Sequence, residues 1–186
     1  TSYYEDIALA RGGVFTEAQF LASLSETLTG LENNYAQRFI SPHDASHDSW
    51  LATSAYRDPH HGISYYDLGA RVGLLLDVEI RRLTGNAKSL DDVMRHLYQN
   101  NYLKNMGVDE DGVQRAAEAV AGKPFQAFFD RYVYGRAPVD YAAVLAPMGL
   151  AVRLERRAEG AGLKVLGIDR VQATDAGPAI LLVRPE

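Results

Sequence analysis

Gly62-Ile63-Ser64-Tyr65-Tyr66-Asp67-Leu68-Gly69-Ala70-Arg71-Val72-Gly73-Leu74-Leu75-Leu76-Asp77-Val78-Glu79-Ile80-Arg81-Arg82 is the stretch that decides the fold. Gly69, Val72, Gly73, Leu76, Ile80 and Leu83 share one face of a helix, and Leu74, Leu75 and Val78 lie on the other side. A helix that is apolar nearly all round has to be covered by others, so the spacing predicts a mainly α fold built around a central helix over about 65–83. Tyr65 and Tyr66 stand at the start of that helix, after a loop holding four of the five histidines. A hydroxyl there is held by a rigid element and faces whatever lies above the helix end.

On the N-terminal side, residues 1–11 read as an amphipathic helix ended by Gly12-Gly13. That helix begins at the first residue with no Met, no signal peptide and no capping lead-in, so the chain reads as one cut from something longer. Thr16 with Gln19 forms a capping box, and Phe20, Leu24, Leu28, Leu31 and Tyr35 continue at helical spacing. This second helix is expected to reach Arg38 and to stop before Pro42. Residues 43–63 read as a long ordered loop with a short helix around Ser49–Ala52, anchored by Trp50 and Tyr56. Loops of that length inside compact domains are uncommon and often functional.

On the C-terminal side, Thr84-Gly85-Asn86 closes the central helix, and Ser89 with Asp92 starts a fourth carrying Leu90, Val93, Met94 and Leu97. Asp109 caps a fifth that ends at Gly122, and Pro124 opens a sixth with a core stripe of Phe125, Phe128, Phe129 and Tyr132. Residues 138–146 give a last short helix. After Gly149 the texture turns to strands over 150–156, 162–168 and 180–183. The expected organisation is a multi-helix domain over 1–149 followed by a short β segment over 150–186.

The bulk composition excludes several classes. With 186 residues, 47% hydrophobic and 23% charged, the chain is an ordinary soluble globular one. A net charge of −5 offers no basic face for a phosphate backbone, so nucleic acid is not an expected partner. The longest apolar stretch, Val72 to Val78, is interrupted by Asp77 and falls far short of the roughly 20 residues needed to span a bilayer, so neither is a membrane. The absence of cysteine excludes thiolate chemistry and leaves the compartment open between cytoplasm and periplasm.

Five stretches in order now carry a resemblance: Thr1-Ser2-Tyr3-Tyr4, Ser64-Tyr65-Tyr66 with Gly69, Leu74-Leu75-Leu76-Asp77-Val78-Glu79-Ile80-Arg81, Ser89-Leu90-Asp91-Asp92-Val93-Met94, and Phe128-Phe129-Asp130-Arg131-Tyr132-Val133 with Gly135. The chain resembles the C-terminal half of the glycyl aminopeptidase family of zinc metallopeptidases, gluzincins with a thermolysin-like region followed by a PDZ domain. The resemblance implies a thermolysin-like helical lobe and, after Gly149, the start of a PDZ-like region. Only 37 residues follow Gly149, against the roughly 80 to 100 that a PDZ domain needs, so this region is expected to be either truncated or replaced by a small β appendage.

In such enzymes two histidines and a general-base glutamate come from an H-E-x-x-H helix, and the third ligand is a glutamate just before the threonine that aligns with Thr1. This sequence has no H-E-x-x-H, so the resemblance implies zinc in the parent enzyme, no metal ligand or cofactor in this chain, and no activity of the chain by itself. The partners implied are the upstream catalytic half of the same polypeptide and a peptide substrate with glycine or another small first residue. Tyr66-Asp67-Leu68-Gly69 matches the Tyr-Glu-Lys-Gly stretch of related aminopeptidases at the tyrosine and the glycine, which implies Tyr66 as oxyanion donor, with Tyr65 the other candidate. Leu68 departs from that pattern. Tyr3, Tyr4, His60 and His61 are the substrate-binding candidates, with one of the two N-terminal tyrosines packing and the other facing the cleft.

Other readings carry less. His43, His47, His60 and His61 with Asp44, Asp48 and Asp58 invite a metal site, and His43 and His47 are at i, i+4, but Pro42 and the polar surroundings favour solvated loop histidines. No G-x-S-x-G elbow and no phosphate loop occurs. Pairs such as Glu79 with Arg82 and Asp91 with Arg95 read as solvated helix faces. The alternative from another class is a noncatalytic helical module that binds peptides or a partner protein. A lobe severed from its other half would also expose an apolar face and self-associate through it.

Overall fold

The structure is a computed structural model that describes residues 1–51, 62–152, 168–174 and 177–183, with the side chains of Leu51 and of the last two stretches left out. The chain divides into two compact units, Thr1–Leu150 and Ala151–Glu186. Among the described residues the first unit is helical: α1 (Ser2–Arg11), α2 (Glu17–Asn33), α3 (Pro42–His47), α4 (Tyr65–Leu83), α5 (Leu90–Asn100), α6 (Gly112–Ala121), α7 (Gln126–Tyr132) and α8 (Tyr141–Leu145). Short 3-10 turns at Tyr35–Arg38, Asp48–Leu51, Tyr102–Lys104 and Ala146–Met148 link them.

As its periodicity requires, α4 is the central element and touches α1, α2, α3, α5, α6 and α8. It joins two apolar clusters. Leu68 lies with Leu31, Ala36, Ile40, Ala45 and Ile63, whereas Leu76 and Ile80 lie with Leu90, Val93, Ala116, Ala117, Phe125 and Phe129. Each buried leucine, isoleucine, valine or phenylalanine among them contributes about 1.5–3 kcal/mol relative to exposure. Phe128 meets Phe125, Phe129 and Tyr132 edge-on with centroids 5.9, 5.7 and 5.3 Å apart, so the aromatic stripe is core as expected. At Gly135 a Cβ would run into the backbone carbonyl oxygens of Asp130 and Arg131, which explains the glycine where the chain leaves α7.

Several boundaries differ from those expected. α2 ends at Asn33, short of Arg38, because the Asn34 side chain accepts from the Ala36 N–H at 2.9 Å and turns the backbone into a 3-10 segment. Pro42 does not merely end what precedes it. It occupies the first turn of α3, where its missing N–H costs nothing, behind a Ser41 cap that accepts from the Asp44 N–H. The expected loop over 43–63 therefore begins as a helix, and Trp50, 92% exposed, anchors nothing. Tyr56 lies outside the described residues. α6 starts at Gly112 with Asp111 as its cap, while Asp109 pairs with Arg115, and Pro124 precedes the cap of α7 without entering its first turn.

In the second unit two strands, β1 (Ile168–Thr174) and β2 (Gly177–Val183), pair antiparallel from Ile168 opposite Val183 to Thr174 opposite Gly177. The expected strands over 150–156 and 162–168 fall mostly on residues outside those described. No described helix is long and apolar enough to cross a membrane.

Candidate functional site

The N-terminal end of α4 is fixed by its own sequence. The Ser64 hydroxyl accepts from the Asp67 N–H at 3.2 Å, and the first-turn Asp67 carboxylate complements the positive end of the helix dipole. Tyr65 and Tyr66 follow the cap with ring centroids 4.2 Å apart. Tyr65 packs against the apolar cluster around Leu68, whereas Tyr66 is 57% exposed and its hydroxyl bonds no described group. The two tyrosines thus share one helix turn but divide the tasks of anchoring and presenting a phenol.

Beside this turn lies a pocket of about 290 Å³ bounded by α1, α2 and the start of α4. Tyr3, Asp6, Ser23, Asp67 and Arg71 supply polar lining, and Phe20, Leu24 and Leu28 the apolar wall. The Ser23 hydroxyl donates to Asp6 at 2.6 Å. Arg71, a buried cation, donates to the Gln37 side-chain carbonyl at 3.0 Å and stands 3.8 Å from the Glu32 carboxylate, which compensates its charge. Glu32 also accepts from the buried Tyr141 hydroxyl at 3.0 Å. Burial pushes the Tyr141 hydroxyl up to about 12, with Arg71 opposing and Glu32 adding.

The two N-terminal tyrosines point to different neighbours. Tyr3 lines the pocket, but its hydroxyl donates to Asp77 at 2.8 Å. Tyr4 donates to Asp91 on α5 at 2.9 Å, and Arg11 closes on the same carboxylate at 2.9 Å. Burial first, and then the adjoining carboxylates, hold both phenols well above their ordinary range. Asp91 is held low mainly by Arg11, and it is Asp92 that pairs with Arg95, at 3.2 Å. The expected Asp91–Arg95 pair is thus replaced, while the Glu79–Arg82 pair forms at 2.7 Å on an exposed face. Asp77, Arg71 and the Asp91–Tyr4–Arg11 group were not singled out by sequence reasoning. The one available signal was a carboxylate and a guanidinium placed inside an apolar helix.

His60, His61 and Asp58 lie outside the described residues. His43 and His47 stand on one face of α3 with rings stacked 6.1 Å apart. Each faces a neighbouring carboxylate, Asp44 at 3.2 Å and Asp48 at 3.1 Å, and His43 Nε2 reaches Glu110 at 3.3 Å. Among the described residues no three His, Asp or Glu side chains converge to hold a metal ion.

The family model of M61 glycyl aminopeptidases matches residues 1–72 of this chain. That span runs from α1 through the first two turns of α4 and includes Tyr3, Tyr4, Tyr65, Tyr66 and Arg71. The match supports an association with this peptidase family. No curated protein matches the chain.

Proposed function

We propose that this chain is the helical wall of the substrate cleft in a zinc-dependent aminopeptidase that removes glycine or another small first residue from peptides. The observation that carries the reading is the family match over residues 1–72, which spans every element bounding the pocket and both tyrosines at the start of α4. The zinc ligands are assigned to an upstream half of the same polypeptide, and residues 150–186 to the start of a PDZ-like region. The work of this lobe is binding and charge stabilisation.

Our reading assigns the second task to Tyr66. Attack on a peptide carbonyl puts negative charge on its oxygen, and a preorganised hydroxyl aimed there is worth about 3–4 kcal/mol of barrier. Tyr3, Tyr4 and Tyr141 have committed their hydroxyls to carboxylates, while Tyr66, 57% exposed, stands in the first turn of a helix whose dipole also favours negative charge. The pocket lined by Asp67, the residue after Tyr66, holds an apolar wall and carboxylates suited to a short peptide with a free amino group.

The test compares release of the first residue from a glycyl chromogenic peptide by this chain and by a longer chain that includes the upstream coding sequence. Zinc-dependent activity in the longer chain alone, lowered at least tenfold in kcat by Tyr66→Phe with an unchanged melting temperature, is the expected result. Full activity of Tyr66→Phe would remove the oxyanion role. Inactivity of both chains would move the assignment to a noncatalytic helical module.

A further inference from the structure

We propose that the face formed by α5, the turn at Tyr102–Lys104 and the segment leading into α6 is a self-association surface, on which a second copy of this chain docks by two-fold symmetry. This face lies outside residues 1–72, so the inference does not depend on the peptidase reading. It holds an open groove of about 710 Å³ whose lining is almost wholly apolar, from Met94, Leu97, Tyr98, Tyr102, Met106 and Val108. Tyr98 and Tyr102, both in its lining, stack with centroids 5.1 Å apart. Beside the groove Leu103 projects, 62% exposed, next to Tyr102 at 70% and Met106 at 59%.

Three features select a second copy as the occupant. The first is extent. Met94, Tyr98, Tyr102, Leu103, Met106 and Val108 are each between 46% and 70% exposed within one stretch of the chain, a concentration of apolar surface of the kind that marks interaction sites. The second is shape, since a projecting leucine and a groove lie side by side. A two-fold axis between them seats each copy's Leu103 in the other's groove, which is how an isologous contact closes.

The third is charge. The segment bordering the groove runs from Lys104, whose ammonium donates to the Asn100 side-chain carbonyl at 3.1 Å, to Glu110 and Asp111 at the start of α6. The Glu110 side chain is 74% exposed and stands 3.3 Å from His43 Nε2, and among the described residues no cation pairs with Asp111. A two-fold axis across Met106–Val108 reverses the segment, so the basic end of one copy meets the acidic end of the other. Methionine adapts its shape to such a contact and tyrosine supplies rigid area, which suits both to the centre of an interface.

The chain has no cysteine, which allows a direct test. At Gly107 a Cβ meets nothing within 4 Å, so Gly107→Cys places one thiol near the proposed axis without strain. Under oxidised glutathione it should give a covalent dimer, whereas Val14→Cys, exposed on the turn after α1, should not. Sedimentation velocity over a concentration series should show a monomer–dimer equilibrium, weakened at least tenfold by Leu103→Glu or Met106→Glu and unchanged by Val14→Glu. A chain that stays monomeric up to sub-millimolar concentration overturns the proposal and leaves the groove to a different partner, such as an amphipathic helix. A dimer indifferent to both glutamate substitutions overturns the choice of face.

Discussion

Asp77 shows how one residue organises its surroundings. It sits in the middle of an apolar run, is 6% exposed, and accepts from the Tyr3 hydroxyl and the Leu90 N–H, each at 2.8 Å, with Arg81 Nε at 3.2 Å. A buried carboxylate is tolerated only with such partners, so the charge pins α1 and the start of α5 to α4. Gly73 allows the Tyr3 ring to lie flat on α4, where a Cβ would come within 3.0 Å of the Tyr3 Cβ. Tyr3→Phe should lower stability by about 1–3 kcal/mol, because it leaves one lone pair of Asp77 unpaired in a dry site. Urea unfolding checks this, and an unchanged midpoint would show that the hydroxyl is redundant. In the sequence Asp77 only interrupts a hydrophobic run. Its partner is 74 positions away, and no local pattern announces a contact of that separation.

At the scale of the element, α4 was legible to the residue because its pattern is long and both ends carry their own punctuation, Ser64 at one and Thr84 before Gly85 at the other. The Ser64 cap also sets where Tyr66 stands. Ser64→Ala should cost about 1 kcal/mol and Ser64→Asp should restore it, since an aspartate both accepts the N–H and complements the dipole. Thermal unfolding of the two variants separates the cap from general surface effects, and equal loss in both would show that the hydroxyl is not acting as a cap. Shorter elements were misread where one residue has two local uses. Pro42 can stop one helix or start another and here starts α3, Asp109 pairs with Arg115 while Asp111 occupies the N-cap position of α6, and Asn34 ends α2 through a side-chain turn that apolar spacing does not encode. The pocket beside α4 was illegible for a related reason, since it is assembled from three helices whose mutual placement depends on contacts such as Tyr3–Asp77 and Arg71–Gln37.

For the helical unit as a whole, the phenols give a pH dependence with a definite sign. Tyr141 is buried and held at about 12, while in the unfolded chain a tyrosine titrates near 10. Between those values the unfolded chain has released a proton that the folded chain keeps, so unfolding is favoured as pH rises. The contribution is fully present below about pH 10 and is lost progressively toward pH 12. Tyr3 and Tyr4, shifted in the same direction by burial and their carboxylates, extend the loss further up. Urea midpoints should therefore be lower at pH 11 than at pH 9, and Tyr141→Phe should shrink that difference while lowering stability at pH 9 through the lost bond to Glu32. The variant is the necessary comparison because lysines also titrate in this range, and only the part of the decline that disappears with the Tyr141 hydroxyl belongs to it. Equal pH slopes in the two proteins would mean that the phenol ionises as freely in the folded unit as in the unfolded chain. The Tyr141–Glu32–Arg71 arrangement would then be too open to water to hold its proton.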